Sequence, residues 1–211
     1  MRAGRWWAVS LAVGLQVMLA SPAQADFGSI ACEVTWDGAR LCVMKGNNAD
    51  HSVRWEGVIG NQIPNIGANT TWAMNNVYNP TDLNMYRNDS DPYPDVIITD
   101  SLYPDIGLVA WAECLSYAPN GEYEVGKYNT GVGGNHPDRW CRGQKIRYNE
   151  RYESTDYSTT ADARKVTCHE LGHTIGLRHT ASSASCMYQA AAAANGPAIT
   201  QGERNEINGE Y

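Results

Sequence analysis

Three of the chain's five histidines fall within the segment His169-Glu170-Leu171-Gly172-His173-Thr174-Ile175-Gly176-Leu177-Arg178-His179. No other feature restricts the fold as much. On a helix His169 and His173 lie four apart, one turn from each other on one face. Glycine tolerates the left-handed conformation that ends a helix, so Gly176 lets the chain leave sharply and brings His179 back. The segment predicts a helix that runs into a reversal, with three imidazoles converging beyond its end.

Three nitrogen ligands leave a fourth position open, which is the arrangement of a catalytic zinc site rather than a structural one. Zinc lowers the pKa of bound water from 15.7 towards about 7 and polarises a carbonyl. Glu170 projects beside the two helical histidines, where it reaches a water rather than the metal. That position suits a general base that takes the water's proton and returns it to a leaving amine. The expected chemistry is hydrolysis of a peptide bond.

The elements around this segment follow from local signals. Ser29 to Met44 reads as a hairpin with Asp37-Gly38 as its turn and Cys32 facing Cys42. Strands are expected over His51 to Ile59, Tyr93 to Leu102 (around the β-branched run Val96-Ile97-Ile98), Leu108 to Ser116, and Ile146 to Arg151. A helix is expected from Asn69 to about Tyr78, ending near Pro80. Asn120 to Gly143, rich in Gly and Asn, reads as a long loop. Thr159-Thr160-Ala161-Asp162 matches a capping box opening the helix that carries His169, and Thr200-Gln201-Gly202-Glu203 opens a short last helix.

The first residues have the layout of a secretory leader: Arg2 and Arg5, an apolar run from Trp6 to Ala20, then Ser21-Pro22-Ala23-Gln24-Ala25. Cleavage is expected after Ala25, leaving a single domain over 26–211 with an upper part 26–176 and a lower part 177–211. The formal charge of −7 becomes more acidic without Arg2 and Arg5. An acidic chain without basic clusters does not fit nucleic acid or an anionic membrane as partner. Six cysteines in an exported chain suggest three disulfides. Sequence leaves their connectivity open, and nearest-neighbour pairing gives Cys32–Cys42, Cys114–Cys141 and Cys168–Cys186.

Met187 lies eight residues past His179, in Ser185-Cys186-Met187-Tyr188. With the histidine segment this resembles the metzincin signature, HExxHxxGxxH followed by a Met-turn. The spacing and the Met-Tyr pair resemble the matrixin branch. Pro94 to Ile98, Ile146 to Asn149 and Ile199 to Tyr211 are weaker matches to the family's strands and final helix. The resemblance implies an α+β, metzincin-like (zincin) fold: a twisted, mostly parallel sheet, an active-site helix and a small C-terminal subdomain. It implies one catalytic zinc ion on His169, His173 and His179, with Glu170 as base and Met187 as the apolar floor beneath the histidines. It does not extend to latency by a bound thiolate, because the context of Cys32 differs from the family's cysteine-switch motif. Nor does it extend to a second zinc site, because only His51 and His136 remain.

The implied substrate is a protein or peptide, bound as an added strand along a sheet edge. Leu108 to Glu113 is the candidate edge, or a plain sheet strand. Tyr188 to Pro197 either lines the pocket for the residue after the scissile bond or packs as an alanine-rich turn. Tyr188 is a possible transition-state helper. Asp89, Asp91 and Asp95 form a loop in which Ca2+ binding is possible, though no defined calcium-loop pattern supports it. Asn69-Thr70-Thr71 and Asn88-Asp89-Ser90 are glycosylation sequons. A secreted monomeric endopeptidase is expected. Two other readings stay open: a secreted zinc-binding interaction module, and a narrowly specific toxin or maturation factor.

Overall fold

The computed structural model describes residues 31–34, 40–43, 48–56, 63, 66–117, 123–125, 143–189 and 196–211. Strands β1 (Ala31–Val34) and β2 (Arg40–Val43) form an antiparallel pair that sets Cys32 opposite Cys42 in register. The expected hairpin is therefore present, while its Asp37-Gly38 turn lies outside the described residues.

The main sheet holds β3 (Asp50–Trp55), β4 (Asn84–Arg87), β5 (Val96–Ser101), β6 (Ala110–Tyr117), β7 (Tyr123–Val125) and β8 (Gly143–Asn149), in the order β4-β3-β5-β8-β6-β7. The β4–β3, β3–β5 and β5–β8 pairs are parallel, and β8–β6 and β6–β7 are antiparallel. The sheet is thus parallel over its larger part, as the α+β reading requires. Central strands of parallel sheets are covered on both faces and read as continuous apolar runs. Val96-Ile97-Ile98 is such a run, and all three residues are buried.

Helix α1 (Ile66–Ala73) continues through a wider turn, Met74–Tyr78, closed by Asn79 N–H to Met74 O at 2.9 Å. Helix α2 (Thr160–Thr174) packs against α1. Ile66, Met74 and Val77 share one core with Val166, Leu171 and Ile175 and with Val53, Val96, Ile98, Ile146 and Tyr148 of the sheet. Helix α3 (Gln201–Glu210) closes this core through Ile207. Cys186, Met187 and Ile199 belong to the same core, so the segment after Gly176 rests on the sheet-and-helix body.

Three local readings are corrected. The first helix begins at Ile66, earlier than the expected start at Asn69, and within it the Thr70 and Thr71 hydroxyls donate back to the carbonyls of Ile66 and Gly67. The Asn69 sequon therefore lies inside a helix with Asn69 and Thr70 buried, and a glycan has no room there in the folded chain. The Asn120–Gly143 stretch is not loop throughout: Tyr123–Val125 pairs with Leu115–Tyr117, and Gly143 opens β8. Strand β4 was not expected at all. It is a short, outer strand, with exposed Asn84, Tyr86 and Arg87 giving little apolar pattern.

Candidate metal centre

Helix α2 is defined at both ends by its sequence. At its start Thr159 accepts a hydrogen bond from Asp162 N–H (3.1 Å), and its hydroxyl donates to the Asp162 carboxylate (2.6 Å). At its end Gly176 adopts φ 95°, with Gly176 N–H to His173 O (3.1 Å) and Leu177 N–H to Gly172 O (2.9 Å). Those two bonds are the paired closure of a glycine-terminated helix. The reversal has a second effect: it turns the Leu177 carbonyl back to His173 Nδ1 at 2.8 Å.

The three imidazoles converge. Nε2 of His169 lies 3.0 Å from Nε2 of both His173 and His179, and the last two are 3.2 Å apart. His169 Nδ1 lies 2.8 Å from Cys186 O. Because a carbonyl only accepts, both Nδ1 atoms carry the proton in neutral rings, and both Nε2 atoms present lone pairs. Lone pairs facing one another with no proton between them repel, and a cation relieves that repulsion. A tetrahedral zinc at its usual distance would hold such nitrogens about 3.3 Å apart. The donor set and spacing fit zinc, and carbonyls bound at Nδ1 are the orienting contacts such ligands require. Burial and the neighbouring His173 and His179 hold the His169 imidazole well below its ordinary protonation range, so it stays neutral and ready to coordinate.

Among the described residues this is the one group of histidine, cysteine and acidic side chains able to hold a metal ion. The acidic loop is committed elsewhere. Asp89 pairs with Arg87 at 2.5 Å, Asp91 accepts the Ser52 hydroxyl at 2.6 Å, and Asp95 accepts Ser52 N–H at 2.8 Å.

Around the histidines, Glu170 is buried beside them on α2. Met187 is fully buried against the same helix: a methyl group on Gly172 would approach its sulfur to 2.3 Å and the Tyr78 hydroxyl to 2.9 Å. The disulfide Cys168–Cys186 joins the residue before His169 to the residue before Met187. Ser185 accepts Met187 N–H (3.0 Å) and donates to the buried Glu203 carboxylate (2.7 Å). Glu203 also closes the full capping box of α3 with Thr200. The Met-turn is thus held by a disulfide on one side and a buried carboxylate on the other.

Within the candidate edge segment Leu108 to Glu113, Ala110 to Glu113 pairs with β8, and among the described residues β7 pairs with β6 at Leu115–Tyr117. Tyr188 is half-buried and meets its surroundings through its backbone: it pairs with Thr180, and its carbonyl accepts from the Lys165 ammonium. Ala190 to Asn195, Cys141 and His136 lie outside the described residues. Sequence reading missed Lys165, Tyr78 and the Ser185–Glu203 pair. Lys165 carried a usable signal, since it stands one turn before His169 on the face that the histidines mark as buried.

The family profile that matches the chain is Matrixin, over residues 69–211. No curated protein matches it. Among solved structures, one described as the structure of myroilysin is 13% identical with a TM-score of 0.36, covering 62% of this chain and 48% of that one. The chain spans about half the length of that structure, a likeness too loose to bear on function.

Proposed function

The chain belongs to the matrixin family, and on that footing we propose that it is an exported zinc endopeptidase in which Glu170 is the general base. The family makes it a zinc metallopeptidase. The observation that carries the finer reading is the convergence of three Nε2 atoms within 3.2 Å, with the Nδ1 protons of His169 and His173 drawn away to Cys186 O and Leu177 O.

His169, His173 and His179 would hold one zinc ion, which when bound supplies Lewis acidity towards water and the scissile carbonyl. Glu170 takes the proton of the attacking water on its carboxylate and passes it to the leaving nitrogen. Met187 and the Cys168–Cys186 bridge keep the histidines from spreading. Leu108 to Glu113 would take the substrate backbone as a further strand. Tyr188 could add a hydrogen bond to the developing oxyanion.

Export over a leader of 1–25, with a peptidase domain 26–211, is supported by the basic start, the apolar run and the small-residue site at Ala23 and Ala25. No helix among the described residues is long and apolar enough to cross a membrane. The acidic charge supports protein or peptide substrates in preference to nucleic acid.

The test is metal dependence. The purified chain should cut an unfolded protein such as casein, stop with an excess of chelator, and recover with one equivalent of zinc. Cleavage that survives complete zinc removal would sink the proposal.

A further inference from the structure

Lys165 is 2% exposed, in a place an apolar side chain could fill. Exchanging a buried charge for a well-packed apolar group is often neutral or stabilising. Stability alone therefore gives little reason for a lysine here. What the lysine adds is a directed bond: Nζ donates to Tyr188 O.

That bond leads to the third metal ligand. His169 and His173 stand on α2 and are oriented through Nδ1, by Cys186 O and Leu177 O, both at 2.8 Å. His179 stands off the helix, beyond the reversal at Gly176, and its backbone is placed by the residue that follows it. Thr180 N–H donates to Met187 O at 3.1 Å, and Thr180 forms a parallel bridge with Tyr188. His179 precedes one member of that bridge, and Met187 precedes the other. Helix α2 holds the Met187 side at two carbonyls. His169 takes Cys186 O, and Lys165, one turn earlier on the same face, takes Tyr188 O. A continuous line of bonds thus runs from the Lys165 ammonium through Tyr188 and Thr180 to the residue beside His179.

We propose that Lys165 is a positioning residue of the metal centre: by holding Tyr188 O it fixes the Thr180–Tyr188 bridge and so sets where the His179 ring stands against His169 and His173. This rests on the zinc site proposed above. The side chain acts on a bound cation in two ways of opposite sign. Its charge repels the cation, so losing the charge alone would strengthen metal binding. Its grip keeps the third ligand in place, so losing the grip weakens metal binding. The grip outweighs the charge.

The test strips the full chain of metal and titrates it with Zn2+ against a competing chelating indicator, as wild type, Lys165→Met and Lys165→Gln. Urea unfolding of the metal-free forms is measured beside it. Methionine fills the space without a donor, and glutamine keeps a donor on a shorter arm. Expected is a metal-free stability equal to wild type or higher for Lys165→Met, with the Zn2+ dissociation constant raised about tenfold in both variants. The absorption spectrum of Co2+ bound in place of zinc should shift as well. Lys165→Arg, which keeps charge and donor, should recover most of the affinity. Zn2+ binding that is unchanged or tighter in folded Lys165→Met overturns the inference. So does an affinity lost only in step with metal-free stability, which marks the residue as structural. If Lys165→Met does not fold, Lys165→Gln is read in its place, and failure of both overturns it too. If wild type binds no Zn2+, the metal-site reading falls and takes this inference with it; wild-type binding with unmoved variants removes this inference alone.

Discussion

Gly172 and the Met187 sulfur meet across the back of the active-site helix, with 2.3 Å between that sulfur and the place a side chain on residue 172 would begin. The glycine is thus there for contact, two residues past Glu170 and next to His173. Gly172→Ala must displace Met187 or lift the helix from Tyr78, whose hydroxyl donates to Cys168 O at 2.5 Å. Overpacking of this kind costs about 1–3 kcal/mol. Urea unfolding of the metal-free variant should show that loss, with weaker zinc binding beside it. Unchanged stability would mean that Met187 is not seated against Gly172.

The Glu203 carboxylate is buried at 1% exposure and accepts from Ser185 and Thr200. Glu203→Ala leaves the Ser185 and Thr200 donors without their acceptor and opens a cavity at the junction of α3 with the Met-turn. A loss of about 2–4 kcal/mol is expected. Because Ser185 also holds Met187 N–H, zinc affinity should fall as well. A variant that loses stability but binds zinc as wild type does would show that the Met-turn stands without α3.

The Cys168–Cys186 bridge closes a loop of sequence separation 18. On the loop-entropy account such a crosslink stabilises by about 3 kcal/mol. The double variant Cys168→Ala, Cys186→Ala should melt correspondingly earlier under non-reducing conditions. A variant with an unchanged melt would remove the bridge from the forces holding the site.

Acid should unfold the metal-free protein, and the sign follows from two histidines. Burial holds His51 and His169 below their ordinary value of 6.5. In the unfolded chain each takes a proton near that value, while the native state resists. The unfolded state therefore binds more protons as pH falls through 6.5, and stability falls with it. Urea unfolding in chelator should give a lower midpoint at pH 5.5 than at pH 7.5, and His51→Leu should flatten that difference. A midpoint that stays level or rises on acidification contradicts the assignment.

The sequence made the site legible because its residues are close along the chain. His169, His173, Gly176 and His179 obey helix and turn geometry alone, and the Schellman-type closure at Gly176 follows from glycine's freedom at φ 95°. The run Val96-Ile97-Ile98 was readable for the same reason: its burial on both faces needs no side-chain alternation. What stayed hidden depends on distant partners. Strand β4 has too few apolar residues to announce itself, and pairing with β3 makes it a strand. The grip of Lys165 on Tyr188, and of Glu203 on Ser185, joins residues 23 and 18 positions apart. Neither partner can be named from the local pattern, although the place of Lys165 one turn before His169 marks it as buried. The acidic loop matched no calcium-loop pattern in the sequence, and its three aspartates are partnered by Arg87 and Ser52, contacts between residues distant along the chain in two of the three cases.

The most direct measurement compares wild type with Glu170→Gln, both carrying one equivalent of zinc, on an unfolded protein. Glutamine keeps the shape of the side chain and removes its basicity. The account predicts equal zinc content and a loss of cleavage of about a hundredfold or more in the variant. Cleavage by Glu170→Gln at the wild-type rate, with zinc bound in both, would contradict it.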